Sequence, residues 1–451
     1  MLSFFTLFAI LFTLGSSSPL VDQLNAVNGT YNIQAVLIAG SNEFYNYRHQ
    51  ADICHAYHVL RNHGVPAENI IVFMYDDIAN NRENPFPGKI YNIPNGPDVY
   101  EGVAKDYTGK DVNVANFLGA LKGDKELAAK GKKVLTTGPN DHVFIYFSDH
   151  GGAGILGMPS EYLSSQDLND ALVYMNKNQL YGKLTFYVEA CEAGSIFDKI
   201  LADNLNIFVT TASNPEESSY GVYCDVEGPL SGTCLGDEYS VAWLQDSDKQ
   251  DLKTETLEQQ FKNVVKNTPS SHPQEYGQKS LSSLDVGEFQ GESASTNNIA
   301  NEPVPASGQV NSRDIPLHSL RSKIISSNDA SQVAIHKKQL SKVIAARKYL
   351  KKSLSKVIQS LCSAGFCPNV DRVYNTRKPL VDHKTYDKVV KQFHSSCLNI
   401  GVNSDVLKYM YTFVNLVEEN KFNESTLKIF LQTLEKSCKK HFANNQFQAI
   451  V

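Results

Sequence analysis

Two residues able to carry nucleophilic chemistry, His150 and Cys191, each stand where an apolar run ends and a turn of small residues begins. The runs are "FIYFSDHGGAG" (144–154) and "LTFYVEACEAGS" (184–195). A thiol beside an imidazole is the minimal apparatus of a cysteine hydrolase, because the thiolate attacks a carbonyl and the imidazolium protonates the leaving amine. Backbone N–H groups of the glycine turn can stabilise the oxyanion. Each residue alone is more simply a core cysteine or a capping histidine, but their joint placement favours a catalytic pair.

The polypeptide that must position this pair alternates apolar runs with longer polar or amphipathic segments between residues 31 and 289. The runs are rich in Val, Ile, Phe and Tyr and cover 33–40, 69–77, 142–149, 184–191 and 206–213. Continuous runs separated by helix-length pieces predict an α/β domain with a mainly parallel sheet flanked by helices. Ligands bind at the carboxyl ends of such strands, so His150 and Cys191 should meet at one sheet edge.

The C-terminal part has a different pattern. Residues 290–322 are poor in apolar residues and rich in Ser, Asn, Gly and Pro, which predicts a linker. Over 323–451 the apolar residues recur at helical spacing, first in 343–361 and then near 385–395, 405–417 and 425–438, so we predict an all-helical domain.

Charge is divided unevenly between the two parts. Residues 321–451 contain 22 Lys and Arg and 9 Asp and Glu, a net charge of +13, whereas residues 1–320 carry −19. A basic domain tethered to an acidic one has a nearer partner than nucleic acid, so we expect the two parts to bind each other and no nucleic acid to be bound. A solvated lysine face on the helical domain is the alternative.

The amino terminus predicts entry into the secretory pathway. Residues 1–18 have an apolar core that ends in small residues, as cleaved signal peptides do, and 19–30 would form a short propeptide. We find no later apolar run of membrane length, and we expect no membrane contact in the mature form. Glycosylation sequons at Asn28 and Asn423 fit this compartment.

Disulfides are allowed in an oxidising compartment, and the chain has eight cysteines. Cys224 and Cys234 flank a short loop and predict one disulfide. Two more can form in a pairing that spacing leaves open, among Cys362, Cys367, Cys397 and Cys438. Cys54 lies in a helical pattern and should be a buried thiol. Because no cysteine or histidine pairs have recognisable zinc spacing, we predict no metal and no cofactor.

Several long blocks of the sequence resemble the legumain family, also called asparaginyl endopeptidases or vacuolar processing enzymes. The resemblance extends over essentially the whole chain, and its blocks are 35–57, 74–79, 98–112, 146–152, 189–195, 210–221 and 234–243. It implies a caspase-like catalytic domain over 31–289, a helical prodomain resembling a death-domain bundle, and cleavage after asparagine, less readily after aspartate. The loop closed by Cys224 and Cys234 resembles the plant branch.

The resemblance also assigns roles to individual residues. Cys191 would be the nucleophile, His150 the proton carrier, Asn46 the group that orients the histidine, and Gly151 an oxyanion donor. The pocket for the asparagine side chain would consist of Arg48, His49, Glu189, Ser218, Ser219 and Asp237. A guanidinium and two carboxylates can satisfy both ends of a carboxamide, so aspartate should fit only when protonated. A structural salt bridge among the charged members is the alternative. In this family the aspartate before the histidine, here Asp149, can cyclise to a succinimide.

The sequence features that would set the balance between ligation and hydrolysis point in opposite directions. Gly152 and Ala153, where many plant members have Gly-Pro, resemble the family's ligase members, and so does the absence of a proline-rich insertion between Asp225 and Thr233. Gly221, at the position called the gatekeeper, resembles the hydrolytic members. We therefore expect peptide substrates with exposed Asn or Asp, and amine nucleophile peptides for ligation. The alternatives are a strictly hydrolytic processing protease and, from another class, a catalytically idle storage or binding protein. The related enzyme that attaches lipid anchors would need a C-terminal membrane span, which we do not find.

The charge division and the resemblance together predict a zymogen of an acidic compartment, the vacuole. The prodomain would act as an intramolecular inhibitor near neutral pH and dissociate when carboxylates at the contact are protonated in acid. Self-cleavage would then occur in the linker. The candidate sites are Asn311 and Asp314, with Asn297, Asn298 and Asn301 as others.

Overall fold

The computed structural model describes residues 31–294 and 308–442. The predicted signal peptide and propeptide, and with them Asn28, lie outside the described residues, as do Asn297, Asn298 and Asn301. The strands are β1 (Ile33–Ala39), β2 (Ile70–Phe73), β3 (His142–Ser148), β4 (Gly151–Gly152), β5 (Ile155–Gly157), β6 (Tyr162–Ser164), β7 (Lys183–Glu189), β8 (Ile207–Thr211), β9 (Tyr220–Val222), β10 (Gly236–Asp237), β11 (Gln274–Gly277) and β12 (Val310–Asn311).

The helices surround the main sheet and form the C-terminal region. They are α1 (Tyr47–Asn62), α2 (Val114–Leu121), α3 (Lys125–Ala129), α4 (Ser165–Lys177), α5 (Glu238–Lys249), α6 (Leu257–Asn267), α7 (Gly287–Gln290), α8 (Ile315–Ser326), α9 (Ala330–Ser363), α10 (Val370–Asn375), α11 (His383–Ser396), α12 (Tyr411–Asn420) and α13 (Glu424–His441). Short 3-10 segments include 193–196 after β7 and 404–409 before α12.

The main sheet has the strand order β11-β8-β7-β3-β1-β2, and every pair is parallel except the antiparallel edge pair β11 and β8. Along β1 the residues alternate between two apolar cores: Ala35 and Leu37 belong to one, and Val36 and Ile38 to the other. Burial of both faces explains why the five predicted runs read as continuous apolar stretches. The α/β prediction is confirmed, and the five runs are β1, β2, β3, β7 and β8.

Strands β3 and β7 fix the position of the predicted catalytic pair. They are parallel neighbours in register, with Ser148 opposite Glu189 at their carboxyl ends. His150 and Cys191, each two residues beyond its strand, therefore leave the sheet at the same level and the same edge.

The C-terminal region is helical, as predicted, and it packs on the catalytic domain. Ala153 and Ile155 belong to the same apolar core as Leu350, Val390 and Phe413 of the tail. The predicted linker is structured in its second half, because β12 and α8 lie within or across it. Three disulfides join Cys224 to Cys234, Cys362 to Cys367 and Cys397 to Cys438.

Two further features bear on sequence predictions. Asn423 is exposed and caps α13 through its side-chain oxygen, which accepts from Thr426 N over 2.9 Å. Its amide nitrogen is not needed for the cap, so glycosylation there stays a prediction that the local structure allows. Within 31–294 and 308–442, none of the helices combines the length and the apolar character required to cross a bilayer.

Candidate active site

Cys191 is a buried thiol at the end of β7, with 2% of its surface exposed. Its Sγ accepts from Ser219 N over 3.4 Å and lies 3.9 Å from Ser219 Oγ. The His150 turn passes against it: a Cβ added to Gly151 would lie 2.2 Å from the Cys191 carbonyl oxygen. Only glycine permits this approach, which brings the backbone after the histidine beside the nucleophile.

The His150 ring contacts the side-chain amide of Asn46. Its Nε2 lies 2.9 Å from Asn46 Oδ1, and Asn46 Nδ2 donates to the Asn42 carbonyl over 2.9 Å. Since the amide nitrogen is engaged elsewhere, the oxygen faces the imidazole and Nε2 carries the hydrogen. Nδ1 is then the nitrogen left to take the thiol proton.

Burial disfavours the charged form of both members of the pair in this closed state. It lowers the pKa of His150 well below its usual range, with the charges of Arg48 and Arg313 acting in the same direction. It also raises the pKa of Cys191, although Arg313 opposes this shift. Both shifts disfavour the charged thiolate–imidazolium pair relative to the neutral one while the linker and tail cover the site.

The predicted pocket residues Arg48, Glu189 and Asp237 come together beside Cys191. Arg48 Nε donates to Asp237 Oδ1 over 2.8 Å, and 1% of each side chain is exposed. Arg48 Nη2 is buried and has no hydrogen-bond partner among the described residues. Glu189 Oε2 accepts from Ser240 N (3.2 Å) and Ser240 Oγ (3.0 Å), whereas Oε1 is buried and has no hydrogen-bond partner among the described residues.

The remaining predicted residues line this region in different ways. His49 lies with Nδ1 2.6 Å from Ser41 Oγ and 3.4 Å from Asp149 Oδ1, and its ring meets that of His150 edge to face. Burial and Arg48 lower the pKa of His49, which favours a neutral ring that packs against its neighbours without adding charge to the pocket. Ser218 is half-buried next to Ser219.

Asp149 is a buried acid. Burial raises its pKa to about 8, and the His150 N–H donates to its carboxylate. That nitrogen is the one that would close a succinimide ring, and a protonated carboxyl is the better electrophile. The succinimide stays a prediction.

A segment of the linker occupies the cleft. Strand β12 pairs antiparallel with β9, Val310 opposite Gly221 and Asn311 opposite Tyr220, and Ser312 N donates to Ser219 O over 3.1 Å. Ser312 thus lies at the pocket entrance, with its Oγ 3.4 Å from Ser219 Oγ. Asp314 N donates to Asn311 O over 2.7 Å, so the chain turns back instead of continuing past Cys191.

The structure does not bring the predicted cleavage residues to the pocket. Asn311 precedes the pocket position and Asp314 follows it, where it pairs with Arg347 over 2.9 Å. Two residues that sequence reasoning missed are adjacent: the Arg313 guanidinium donates to Gly151 O over 3.0 Å and forms an ion pair with Glu192. No local pattern marked either residue, because their contact joins segments more than a hundred positions apart.

Residues of the C-terminal region cover the three positions predicted to set the balance between ligation and hydrolysis, Gly152, Ala153 and Gly221. A Cβ on Gly152 would lie 2.9 Å from the Leu407 carbonyl oxygen, and Ala153 O accepts from Tyr386 Oη over 2.6 Å. A Cβ on Gly221 would lie 2.7 Å from Ile315 Cδ1 of α8. Larger side chains at Gly152 or Gly221 would therefore disturb the contact with the tail.

Such an arrangement is suited to acyl transfer at a peptide bond. A thiol and an oriented imidazole stand at neighbouring strand ends, beside an antiparallel strand that already binds extended polypeptide. Fold and site together define a cysteine peptidase.

Comparison with known proteins gives the family. Residues 34–292 match the Peptidase C13 family. The chain is 46% identical over 389 residues to legumain from Mus musculus, across 85% of this chain and 88% of the mouse protein. It is 43% identical over 411 residues to vacuolar-processing enzyme from Vicia sativa, across 86% and 83% of the two chains. These matches show that the chain belongs to the Peptidase C13 family, as a legumain-type cysteine peptidase. Caspase-1 from Spodoptera frugiperda aligns over 59% of this chain and 92% of its own, with 11% identity and a TM-score of 0.33.

Proposed function

We propose that this protein is an endopeptidase that cleaves after asparagine, and less readily after aspartate, and that it also joins peptides through a thioester on Cys191. It is made as a zymogen that activates in an acidic compartment, the vacuole. The relatives named legumain and vacuolar-processing enzyme support the class and the compartment.

The observation that carries the specificity is the pair of open polar atoms in the pocket. Arg48 Nη2 is a buried donor and Glu189 Oε1 a buried acceptor, and neither is satisfied by a fixed partner. Leaving such groups unpaired costs about 1–3 kcal/mol each, so a side chain that satisfies both is strongly favoured. The oxygen of a carboxamide accepts from Arg48 while its NH2 group donates to Glu189.

Aspartate fits the same pocket only with an added proton. Its second oxygen would face Glu189 Oε1, and two ionised carboxylates cannot share that space. Burial and the neighbouring Asp237 raise the pKa of Glu189 well above its usual value. As the pH falls, either the substrate aspartate or Glu189 takes up the missing proton. Cleavage after aspartate should therefore increase in acid.

The test is mass spectrometry of the products from a peptide with one internal asparagine, incubated with the activated protein and a millimolar amine nucleophile across pH. We expect substantial transpeptidation near pH 7 that gives way to hydrolysis in acid, because only the neutral amine attacks the thioester and an α-amino group has a pKa of about 8. An otherwise identical glutamine peptide is the control and should stay intact.

Different products would support different enzymes. Hydrolysed product alone near pH 7 would contradict ligation and leave a processing protease, the function that Gly221 favours. An intact asparagine peptide would contradict the whole proposal and favour an idle binding protein.

Latency in this proposal comes from the linker. Ser312 takes the position of the residue before the scissile bond, but its side chain is too short to satisfy Arg48 and Glu189. The turn after Ser312 directs the chain away from the side of the cleft where the leaving peptide would bind. A segment with these features binds as a substrate does and resists cleavage.

The acid trigger that we propose differs from the carboxylate mechanism expected from charge balance. Burial raises the pKa of Glu192 and of Asp405, even though Arg313 and Arg347 contact them. Docking therefore does not favour the ionised forms of these carboxyls, and their protonation does not by itself release the tail.

His383, at the start of α11, responds to acid in the opposite way from these carboxyls, because its protonation weakens docking of the tail. Its Nε2 donates to Asp198 O (3.1 Å) and its Nδ1 accepts from Ser165 Oγ (2.7 Å), so the ring is neutral when docked. Burial lowers its pKa, although Asp198 and Glu418 oppose this shift. Docking is thus fully favoured above the usual histidine pKa of about 6.5 and weakens as the pH falls toward the lower, docked value.

Replacing His383 by glutamine should therefore preserve latency further into acid. Glutamine keeps a donor and an acceptor but never becomes charged, so the midpoint of acid activation should move down by roughly 0.5 to 1 pH unit. The measurement is the activity of the precursor after incubation at a series of pH values. His272→Gln, at an exposed histidine, is the matched control, and an identical midpoint in both variants would contradict the role of His383.

A further inference from the structure

A third carboxyl group, that of Asp52, lies directly behind the pocket. Asp52 is on α1, one turn after Arg48, and is fully buried. Asn92 Nδ2 donates to Asp52 Oδ1 over 2.7 Å. A Cβ added to Gly236, the residue before Asp237, would lie 3.1 Å from Asp52 Oδ1, so the glycine lets the β10 backbone approach the aspartate.

A chain of hydrogen bonds fixes which oxygen of Asp52 can carry a proton toward the pocket. His55 contacts Asp248 Oδ2 through Nε2 (2.8 Å) and Asn92 Oδ1 through Nδ1 (2.7 Å). Asn92 Nδ2 also donates to Leu235 O over 3.1 Å, which confirms the orientation of that amide. Because Asn92 must present its NH2 group to Asp52 Oδ1, Oδ2 is the oxygen that can act toward the pocket; it accepts one long bond from Ser148 Oγ (3.4 Å) and can still donate a proton.

The pocket residue Asp237 has one carboxylate oxygen, Oδ2, that lacks a hydrogen-bond donor within the described part of the chain. Its Oδ1 accepts from Arg48, but Oδ2 is buried and takes no N–H or O–H bond from the side chains that the structure describes; His49 Nε2 stays 3.7 Å away. The carboxyls of Asp52 and Asp237 lie within hydrogen-bonding reach of each other. Two carboxyls in one buried site share a proton, since both cannot be ionised there.

The Arg48 contact to Asp237 favours Asp52 as the carboxyl that holds the shared proton. Arg48 favours the ionised form of Asp237, whereas no cation contacts Asp52 among the described residues. Burial, with the charges of Asp237 and Glu189, raises the pKa of Asp52 well above its usual value. The titratable and charged groups that surround Asp52 from α1, β3, β7, β10 and α5 are Arg48, His49, Cys54, His55, Tyr146, Glu189, Asp237 and, behind His55, Asp248.

We propose that Asp52 is a positioning residue for substrate specificity: its neutral carboxyl donates a hydrogen bond to Asp237 and so holds Arg48 toward the asparagine side chain. This inference rests on the pocket assigned in the proposed function. When Asp52 loses its proton at high pH, Asp237 loses its donor and a second negative charge draws the guanidinium inward. The activity toward asparagine should then decline on the alkaline side.

Asp52→Asn tests the role of the proton. Asparagine accepts from Asn92 with its oxygen and donates to Asp237 with its NH2 group at every pH. In the activated enzyme, kcat/KM for an asparagine peptide should stay within about threefold of wild type at pH 5, and the alkaline decline should move up by at least about one pH unit. Asp52→Ala removes the donor and should lower kcat/KM by about 10- to 100-fold, mostly through KM.

Controls separate this role from a structural one. Asp246→Asn changes another buried aspartate, on α5, outside this hydrogen-bond chain, and should leave the pH profile unchanged. An alkaline decline in Asp52→Asn identical to wild type would overturn the proposal, and so would a loss as large as that of Asp52→Ala.

A second readout needs no substrate. Infrared spectra near pH 7 should show a protonated-carboxyl band that Asp52→Asn lacks, and an unchanged spectrum would refute the shared proton. If the wild-type enzyme fails to cleave after asparagine while the band is lost in the variant, the pocket assignment fails and the buried proton stands.

Discussion

Alanine at position 191 should reduce kcat/KM for a peptide with one asparagine by at least about 10⁴-fold, because no other group can form the thioester. Cys191 is the thiol at the end of β7, directly against the backbone of Gly151. Removing it leaves the pocket and the oxyanion donors in place, so substrate should still bind. The measurement is peptide cleavage after the linker has been cut by an unrelated protease, which makes activation independent of the variant's own activity.

Cys54→Ala is the matched control, since Cys54 is the second free cysteine among the described residues. Its thiol is fully buried, lies 3.6 Å from Met74 Sδ, and has a pKa raised by burial. We expect this variant to retain activity within about threefold, with only the small stability cost of a lost sulfur atom. Cleavage retained in Cys191→Ala, or lost equally in both variants, would remove Cys191 from the mechanism.

The sheet and the place of the catalytic pair could be predicted because both follow from local signals. Each of the five strands is a continuous apolar run, and a parallel sheet brings its strand ends to one edge whatever the loops do. His150 and Cys191 were therefore brought together by topology alone. The family resemblance added Asn46, Arg48 and Asp237, whose contacts the structure displays.

The remaining features depend on contacts between distant segments. Polar linker composition indicated an irregular chain around Val310 and Ser312, but an antiparallel partner was available at β9, and pairing with it creates a strand from residues with little intrinsic preference for one. Helix α1 carries a further sequence signal for buried polar contacts. Its polar residues Arg48, Asp52 and His55 leave it without a clear solvent face, and buried polar side chains require partners within the protein.

Removing the Arg313 guanidinium should have the second largest effect, a rise of about 100-fold or more in the activity of the precursor at pH 7. Glu192 is 8% exposed and is covered by the linker, where Arg313 contacts both its carboxylate and the Gly151 carbonyl. From the tail, Arg347 Nη2 donates to Arg313 O over 2.5 Å and holds the turn in place. Breaking one partner of a buried ion pair costs about 3–5 kcal/mol, which is more than two factors of ten in the docking equilibrium.

Lys323→Ala provides the comparison. Lys323 on α8 pairs with Glu83, of which 58% is exposed, and a surface pair of this kind contributes about 1 kcal/mol or less. Its precursor should remain as latent as the wild type. Arg313→Lys should fall between the two, because a lysine keeps the positive charge but its ammonium is more strongly hydrated than the guanidinium and costs more to bury at this contact.

The pH dependence of the Arg313→Ala effect distinguishes a lost ion pair from a loosened fold. Burial raises the pKa of Glu192, so without its arginine this carboxyl takes up a proton as the pH falls, and the buried charge that opposes docking disappears. The activity ratio of Arg313→Ala to wild-type precursor should therefore be largest near neutral pH and shrink in acid, where His383 also begins to release the wild-type tail. A ratio that stays constant with pH would mean that the substitution only disorders the linker. A variant as latent as wild type at pH 7 would show that the helical tail blocks the cleft without this contact.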